Sequence, residues 1–90
     1  MSKVRVPRKG VTQTELVSVL ARHLTGGYTV KPDAGGRVTV RRGAGGAIVS
    51  IKHVPGATVF RVRGGLPLLG GGTRRRVADT LRRSPEFRSL

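Results

Sequence analysis

The chain has 90 residues, with 18 lysines and arginines against four acidic residues, and its formal net charge is +14. This length limits the chain to one small domain, and such a charge balance predicts an anionic partner, with nucleic acid the first candidate. The absence of cysteine excludes disulfides and thiolate metal sites. No apolar run reaches the roughly 18 residues that span a bilayer. We expect a cytoplasmic or nucleoid-associated protein without a cofactor.

Arginine outnumbers lysine by 14 to 4, and glycine, valine and alanine are abundant. This composition is typical of GC-rich coding, as in phage or actinobacterial genomes. Codon bias accounts for arginine in place of lysine, but it does not account for the excess of basic over acidic residues. The sign of the net charge therefore still indicates binding to an anion.

Residues 1–10 contain few core-forming side chains and predict a basic N-terminal arm, whose cations are Lys3, Arg5, Arg8 and Lys9. Val4 and Val6 alternate with two of these cations, so a short edge strand is the alternative. After the arm we expect a single α+β domain over residues 11–84 and a tail over residues 85–90.

The start of the first helix is predicted by the segment from Thr12 to Glu15, because this segment matches the Thr-x-x-Glu capping box. Val11 stands where a residue before the cap packs onto the first turn. Apolar residues then follow at helical spacing on one arc: Leu16, Val17, Leu20, Ala21 and Leu24. Gly26 and Gly27 end the helix, because glycine is favoured after a helix C-terminus.

Four short strands are predicted next, over residues 28–31, 37–42, 47–53 and 58–63, with glycine-rich or proline-containing turns between them. Tight turns favour antiparallel pairing. The final helix is predicted over residues 73–83, with Val77, Ala78 and Leu81 inward. One or more of the leucines in residues 66–69 are expected to pack beneath it. The expected fold is a two-layer α-β-β-β(-β)-α domain, with an antiparallel sheet of three or four strands packed on two helices.

Side-chain alternation predicts a basic sheet face opposite the helices. Its expected members are Arg37, Arg41, Lys52, Arg61 and Arg63. The strands that carry these cations have no acidic residue, whereas an ordinary solvated face mixes charges of both signs. We interpret this face as a surface for nucleic-acid backbone.

The stretch from Gly70 to Arg76 combines three glycines, Thr73 as a helix cap, and Arg74, Arg75 and Arg76 at the start of the last helix. A helix N-terminus is partially positive, so cations there are disfavoured by roughly 0.3–1 kcal/mol each. A phosphate group would relieve this repulsion, because helix N-termini and arginine both bind phosphate oxygens. The three arginines therefore predict a phosphate clamp.

The same stretch resembles, at the level of the fold, the end of the double-stranded RNA-binding domain, where a glycine-containing loop precedes a Ser-Lys-Lys-x-Ala-Lys type run. Thr73 stands at the serine position, and Arg74 and Arg75 stand at the paired lysines. Val77 replaces the alanine and Ala78 the last lysine. The resemblance covers about nine residues and implies that Arg74 and Arg75 contact phosphates across a groove.

Aromatic residues are scarce, with one tyrosine and two phenylalanines. Modules that bind single strands stack bases on aromatic side chains, so duplex or folded nucleic acid is favoured. We expect no enzymatic activity, because the few acidic residues and histidines do not form a metal or catalytic motif. The alternative is a metal-free ribonuclease that uses His53 beside Lys52.

The leading hypothesis is a small non-enzymatic protein that binds nucleic-acid backbone, DNA or RNA, with modest sequence specificity. The alternative from another class is an assembly or inhibitor protein, such as a phage component, that binds an acidic protein surface. A membrane surface ranks below both, because no aromatic anchor accompanies the basic arm. The oligomeric state stays open, homo-oligomers included.

Overall fold

The structure, a computed structural model, describes residues 2–64 and 72–88. Its elements in chain order are β1 (Ser2–Val6), α1 (Gln13–His23), β2 (Thr29–Pro32), β3 (Val38–Arg42), β4 (Gly45–Val54), β5 (Ala57–Gly64), α2 (Gly72–Arg83) and α3 (Pro85–Arg88). The strands form one antiparallel sheet in the order β1-β5-β4-β3-β2, and the helices pack on one of its faces. The predicted two-layer α+β class is confirmed, with five described strands rather than three or four.

Strand β1 replaces the expected N-terminal arm. Val4 and Val6 are each only 2% exposed, and they pair with Phe60 and Thr58 of β5. Burial of a valine side chain stabilises a fold by about 1.5–3 kcal/mol, and the neighbouring cations Lys3 and Arg5 remain exposed. The alternative of an edge strand is therefore the correct one.

The connection from β1 to α1 is also held in place. The Thr58 hydroxyl donates to the Arg8 carbonyl oxygen at 2.7 Å and accepts from the Val11 amide at 3.4 Å. His53 Nε2 lies 2.9 Å from the Val11 carbonyl oxygen and therefore donates to it. These bonds tie the connection to β4 and β5, so the first ten residues belong to the domain.

Helix α1 begins after Thr12, whose hydroxyl accepts a hydrogen bond from the Glu15 amide at 3.1 Å. This confirms the predicted cap. The inward arc differs by one position, because Val19 is buried whereas Ala21 is exposed. The prediction placed Ala21 in the core and omitted Val19.

The four predicted strands are present as β2 to β5, with ends shifted by up to two residues. Gly43 and Ala44 form a two-residue turn between β3 and β4, and Gly43 adopts a positive φ of 57°. A Cβ atom on Gly45 would lie 3.1 Å from the Thr73 hydroxyl. The first turn of α2 therefore packs closely against the start of β4.

Helix α2 buries Val77, Ala78 and Leu81 against the sheet, as predicted. Because the helix begins at Gly72, Thr73 lies in its first turn and does not hold the capping position. The expected packing of the leucines in residues 66–69, and the glycines at 70 and 71, lie outside the described residues.

Residues 85–88, where the sequence predicts the start of a C-terminal tail, form α3, and Phe87 belongs to the core. Phe87 in α3 is fully buried, and its ring centroid lies 5.3 Å from that of Phe60. Proline is well suited to a first helical position, so Pro85 ends α2 and begins α3. The Ser84 carbonyl accepts from the Phe87 amide at 3.1 Å across this junction. The buried Phe87 ring thus brings α3 into the core.

Candidate functional site

The sheet face away from the helices carries a continuous set of cations. Alternation along each strand turns odd-numbered residues of β1, β2, β3 and β5 and even-numbered residues of β4 to this side, because their partners in the sheet share one face. All the cations on it are exposed. We call this surface the basic face, and its cations are Lys3, Arg5, Lys31, Arg41, Lys52, Arg61 and Arg63.

Cations of the basic face lie close to one another across strands. Lys3 is directly opposite Arg61 in the pairing of β1 with β5. Arg5 and Lys52 lie on either side of Val59 in the next row along the strands. Like charges directly opposite each other in a sheet are destabilising. A bound anion would reduce this repulsion.

All four acidic residues of the chain lie in ion pairs, and none of them belongs to one of the five described strands. Each pairs with an arginine, at distances of 2.7 to 3.2 Å: Glu15 with Arg8, Asp33 with Arg37, Asp79 with Arg82, and Glu86 with Arg22. These pairs use all the negative side chains, so among the described residues no side-chain carboxylate is paired with a cation of the basic face.

Arg37 was expected on the basic face, but it belongs to the turn between β2 and β3. Its Nε donates to the Asp33 carboxylate at 3.1 Å. Partial desolvation raises the pKa of Asp33, but the amides of Gly35 and Arg37 and the Arg37 guanidinium outweigh it, so the pKa lies below its ordinary value. Gln13 Nε2 donates to the carbonyls of Asp33 and Arg37 at 2.9 and 2.7 Å. This turn is therefore a structural element that connects the sheet with α1.

The cations expected in the arm have different environments. Arg5 lies on the basic face, and Lys9 is exposed in the connection to α1. Arg8 pairs with Glu15 at 2.7 Å and donates to the Glu86 carbonyl at 3.1 Å. Arg8 thus links α1 with α3, and its guanidinium is already engaged within the fold.

The arginines at the start of α2 lie in the helix layer, on the other side of the sheet from the basic face. Arg74 is half-buried and donates to the Ser2 hydroxyl of β1. Arg75 and Arg76 are exposed. The structure therefore divides the expected binding residues between two surfaces, and Arg74 also has a structural contact.

A cluster of ion pairs around Glu86 joins the end of α1 to α3. His23 Nε2 lies 2.9 Å from the Glu86 carboxylate, and Arg22 contacts the same carboxylate at 2.9 Å. The hydrogen bond from His23, followed by charge and hydrogen-bond contributions that include Arg22, holds the pKa of Glu86 below its ordinary value. This cluster fixes α3 and is not part of the basic face.

All three aromatic residues lie off the basic face. Phe60 and Phe87 are buried in the core, and the half-buried Tyr28 packs against it, with the Arg42 guanidinium 5.2 Å from its ring centroid. The basic face therefore has no aromatic platform for stacking bases. Its uncharged side chains include Ile48 and Val59, which are half-exposed.

Lys52 and His53, the pair considered for a ribonuclease, point to opposite sides of β4 because successive strand residues alternate. Lys52 lies on the basic face, whereas His53 bonds to Val11 on the helix side. The described residues contain no cluster of three or more metal-ligating side chains. In residues 2–64 and 72–88 there is also no helix with the length and hydropathy to cross a membrane.

Sequence reasoning does not identify Lys3 and Lys31 as members of the basic face. The arm interpretation removes Lys3 from the sheet, although its alternation with Val4 contains the signal. Lys31 lies near the end of a short strand whose register depends on β3. Comparison of the chain with models of protein families, with curated proteins and with solved structures gives no match.

Proposed function

We propose that this protein binds duplex nucleic acid, DNA or structured RNA, through the basic face of its sheet. The observation that supports the proposal is the presence of seven exposed cations on one face, with every acidic side chain engaged elsewhere. Such a face attracts the phosphate backbone without reading base identity.

The shape and chemistry of the face favour a duplex over a single strand. Five strands about 4.8 Å apart present a surface roughly 19 Å wide. The aromatic residues lie off this surface, so it lacks the stacking contacts by which single-strand binders hold bases. Phosphate contacts are left as the main source of affinity, with modest sequence specificity.

The start of α2 is a second candidate surface within the same proposal, because Arg75 and Arg76 are exposed and the stretch resembles the phosphate clamp of the double-stranded RNA-binding domain. We rank it below the basic face for two reasons. It presents fewer cations, and Arg74 is engaged with Ser2.

The experiment is equilibrium binding to duplex DNA, duplex RNA and single strands, measured by fluorescence anisotropy between 50 and 200 mM salt. If about six phosphates are neutralised, the plot of log K against log salt has a slope near −5, and affinity falls about 10³-fold across this range. A slope near zero with both duplexes would contradict the proposal.

Two matched double variants assign the binding to a surface. Arg61→Gln with Arg63→Gln removes two arginines from the basic face, and Arg75→Gln with Arg76→Gln removes two from the start of α2. We expect the first pair to reduce the steepness of the slope by about 2, since each lost phosphate contact removes about 1. The second pair is expected to leave the slope close to that of the wild type. The reverse result would move the site to the helix.

A further inference from the structure

We propose that the basic face contains one defined phosphate seat, a recess between β2 and β3 in which Lys31 and Arg41 with the hydroxyls of Thr29 and Thr39 hold a phosphodiester group of the bound duplex. This inference rests on the proposed function and names the point where the duplex backbone is anchored.

The sheet register creates the arrangement of these four side chains. Thr29 lies directly opposite Arg41, and Lys31 lies directly opposite Thr39. Each row therefore contains one cation and one hydroxyl, and the two cations stand on one diagonal. The recess has a volume of about 610 Å³, and its lining also includes Gly27 and Gly43.

The donors of this recess are unused. In the part of the chain that the structure describes, the four side chains make no hydrogen bond or ion pair. The nearest carboxylate along the chain is that of Asp33, and it is occupied by Arg37 and by backbone amides. An anion that enters the recess thus meets donors without a competing acceptor side chain.

Two glycines at one end of the recess, Gly27 before β2 and Gly43 after β3, keep that end open. Gly27 and Gly43 have φ of 89° and 57°, and a Cβ atom built on either would meet no other atom within 4 Å. Side chains other than glycine are disfavoured at such φ values. The phosphate therefore has free approach from the end of the sheet.

The chemistry fits a phosphodiester. Its two non-bridging oxygens accept several hydrogen bonds, and arginine and lysine supply charge-assisted donors to such oxygens. Hydroxyl groups add neutral donors on the other diagonal. A smaller cavity of about 280 Å³ in the helix layer is lined by Arg76 and Arg83 but also by Asp79, whose carboxylate disfavours an anion.

The test compares two matched double variants in binding to a duplex. Lys31→Gln with Arg41→Gln removes both cations from the recess. Lys52→Gln with Arg63→Gln removes one lysine and one arginine charge elsewhere on the basic face. We expect the recess pair to weaken binding about 100-fold and the control pair about tenfold, because hydrogen bonds to charged groups are stronger than diffuse attraction.

A third variant removes the hydroxyls and leaves every charge in place. Thr29→Val with Thr39→Val keeps β-branched strand residues, and we expect about tenfold weaker binding with an unchanged salt slope. Melting temperatures establish that each variant is folded.

Equal losses in the two charge variants, with wild-type affinity in the hydroxyl variant, would overturn the phosphate seat but leave binding by the basic face intact. Wild-type affinity in all three variants would instead contradict the proposed function itself.

Discussion

Lys3 and Arg61 provide a prediction in which stability and binding change in opposite directions. The two residues are directly opposite in the pairing of β1 with β5, where Cβ atoms lie about 5 Å apart. If the two charged groups were held at that same separation, they would repel by about 0.8 kcal/mol in water, which is an upper value because both side chains are long and flexible. The substitution Lys3→Glu replaces this repulsion by an attraction.

The magnitude follows from the range measured for cross-strand pairs. Opposite charges contribute about 0.2–1 kcal/mol, and like charges oppose folding by a similar amount. The substitution is therefore expected to raise the free energy of unfolding by about 1 kcal/mol, which corresponds to about 4–8 °C in melting temperature for a domain of this size. The same variant removes a phosphate contact, so its salt slope for a duplex should fall by about 0.9 or more.

Calorimetry at low and high salt measures the change in melting temperature, and fluorescence anisotropy measures the salt slope of duplex binding. The stability gain should shrink at high salt, because exposed charges are screened. Lys52→Glu is the control, since it changes the charge equally but its direct partner on β5 is the uncharged Val59. A melting temperature of Lys3→Glu at or below the wild type at low salt, or an equal rise in the control, would refute the reasoning.

Three further predictions concern the fold around the basic face. Phe87→Ala should lower the free energy of unfolding by about 3–5 kcal/mol, because the buried ring packs on Phe60. A midpoint of urea unfolding close to that of the wild type would contradict the role of α3. The pKa of Glu86 is lowered, so the stability contributed by its contact with His23 is present above the ordinary pKa of 4.5 and is lost as the pH falls below it. Glu86→Gln should flatten this part of the acid-unfolding curve, and an unchanged curve would exclude the contribution. Thr58→Val should cost about 1–3 kcal/mol by leaving buried backbone groups without a partner, measured by thermal melting, and a smaller change would show that the hydroxyl is dispensable.

Local patterns were sufficient for the elements that depend on local physics. The cap at Thr12, the alternation that turns Phe60 and Val62 inward, and the arc of Val77 on α2 are each decided within a few residues. The sequence favours a basic arm over the edge strand β1, because the partner strand β5 lies more than 50 residues away along the chain. The sequence predicts a tail in place of helix α3, because Phe87 is the one apolar side chain of this helix that enters the core.

The candidate site divides in the same way. Alternation correctly placed Arg41, Lys52 and Arg61 on one face, since side-chain direction in a strand is a local property. Arg37 instead lies in the turn just before β3 and pairs with Asp33, an ion pair that the strand pattern does not contain. The proposed phosphate seat depends on the register of β2 with β3, which the sequence analysis does not determine.

The most direct test of the central claim is a titration of isotope-labelled protein with a duplex, followed by NMR chemical shifts. We expect the largest changes at outward residues of β1, β5, β4 and β3 on the basic face, together with β2 residues at the recess. Residues of α1, α2 and α3 should change little, because they lie across the sheet from the bound duplex. Chemical-shift changes concentrated at the start of α2, or no changes when the duplex is in large excess over the protein, would contradict the account.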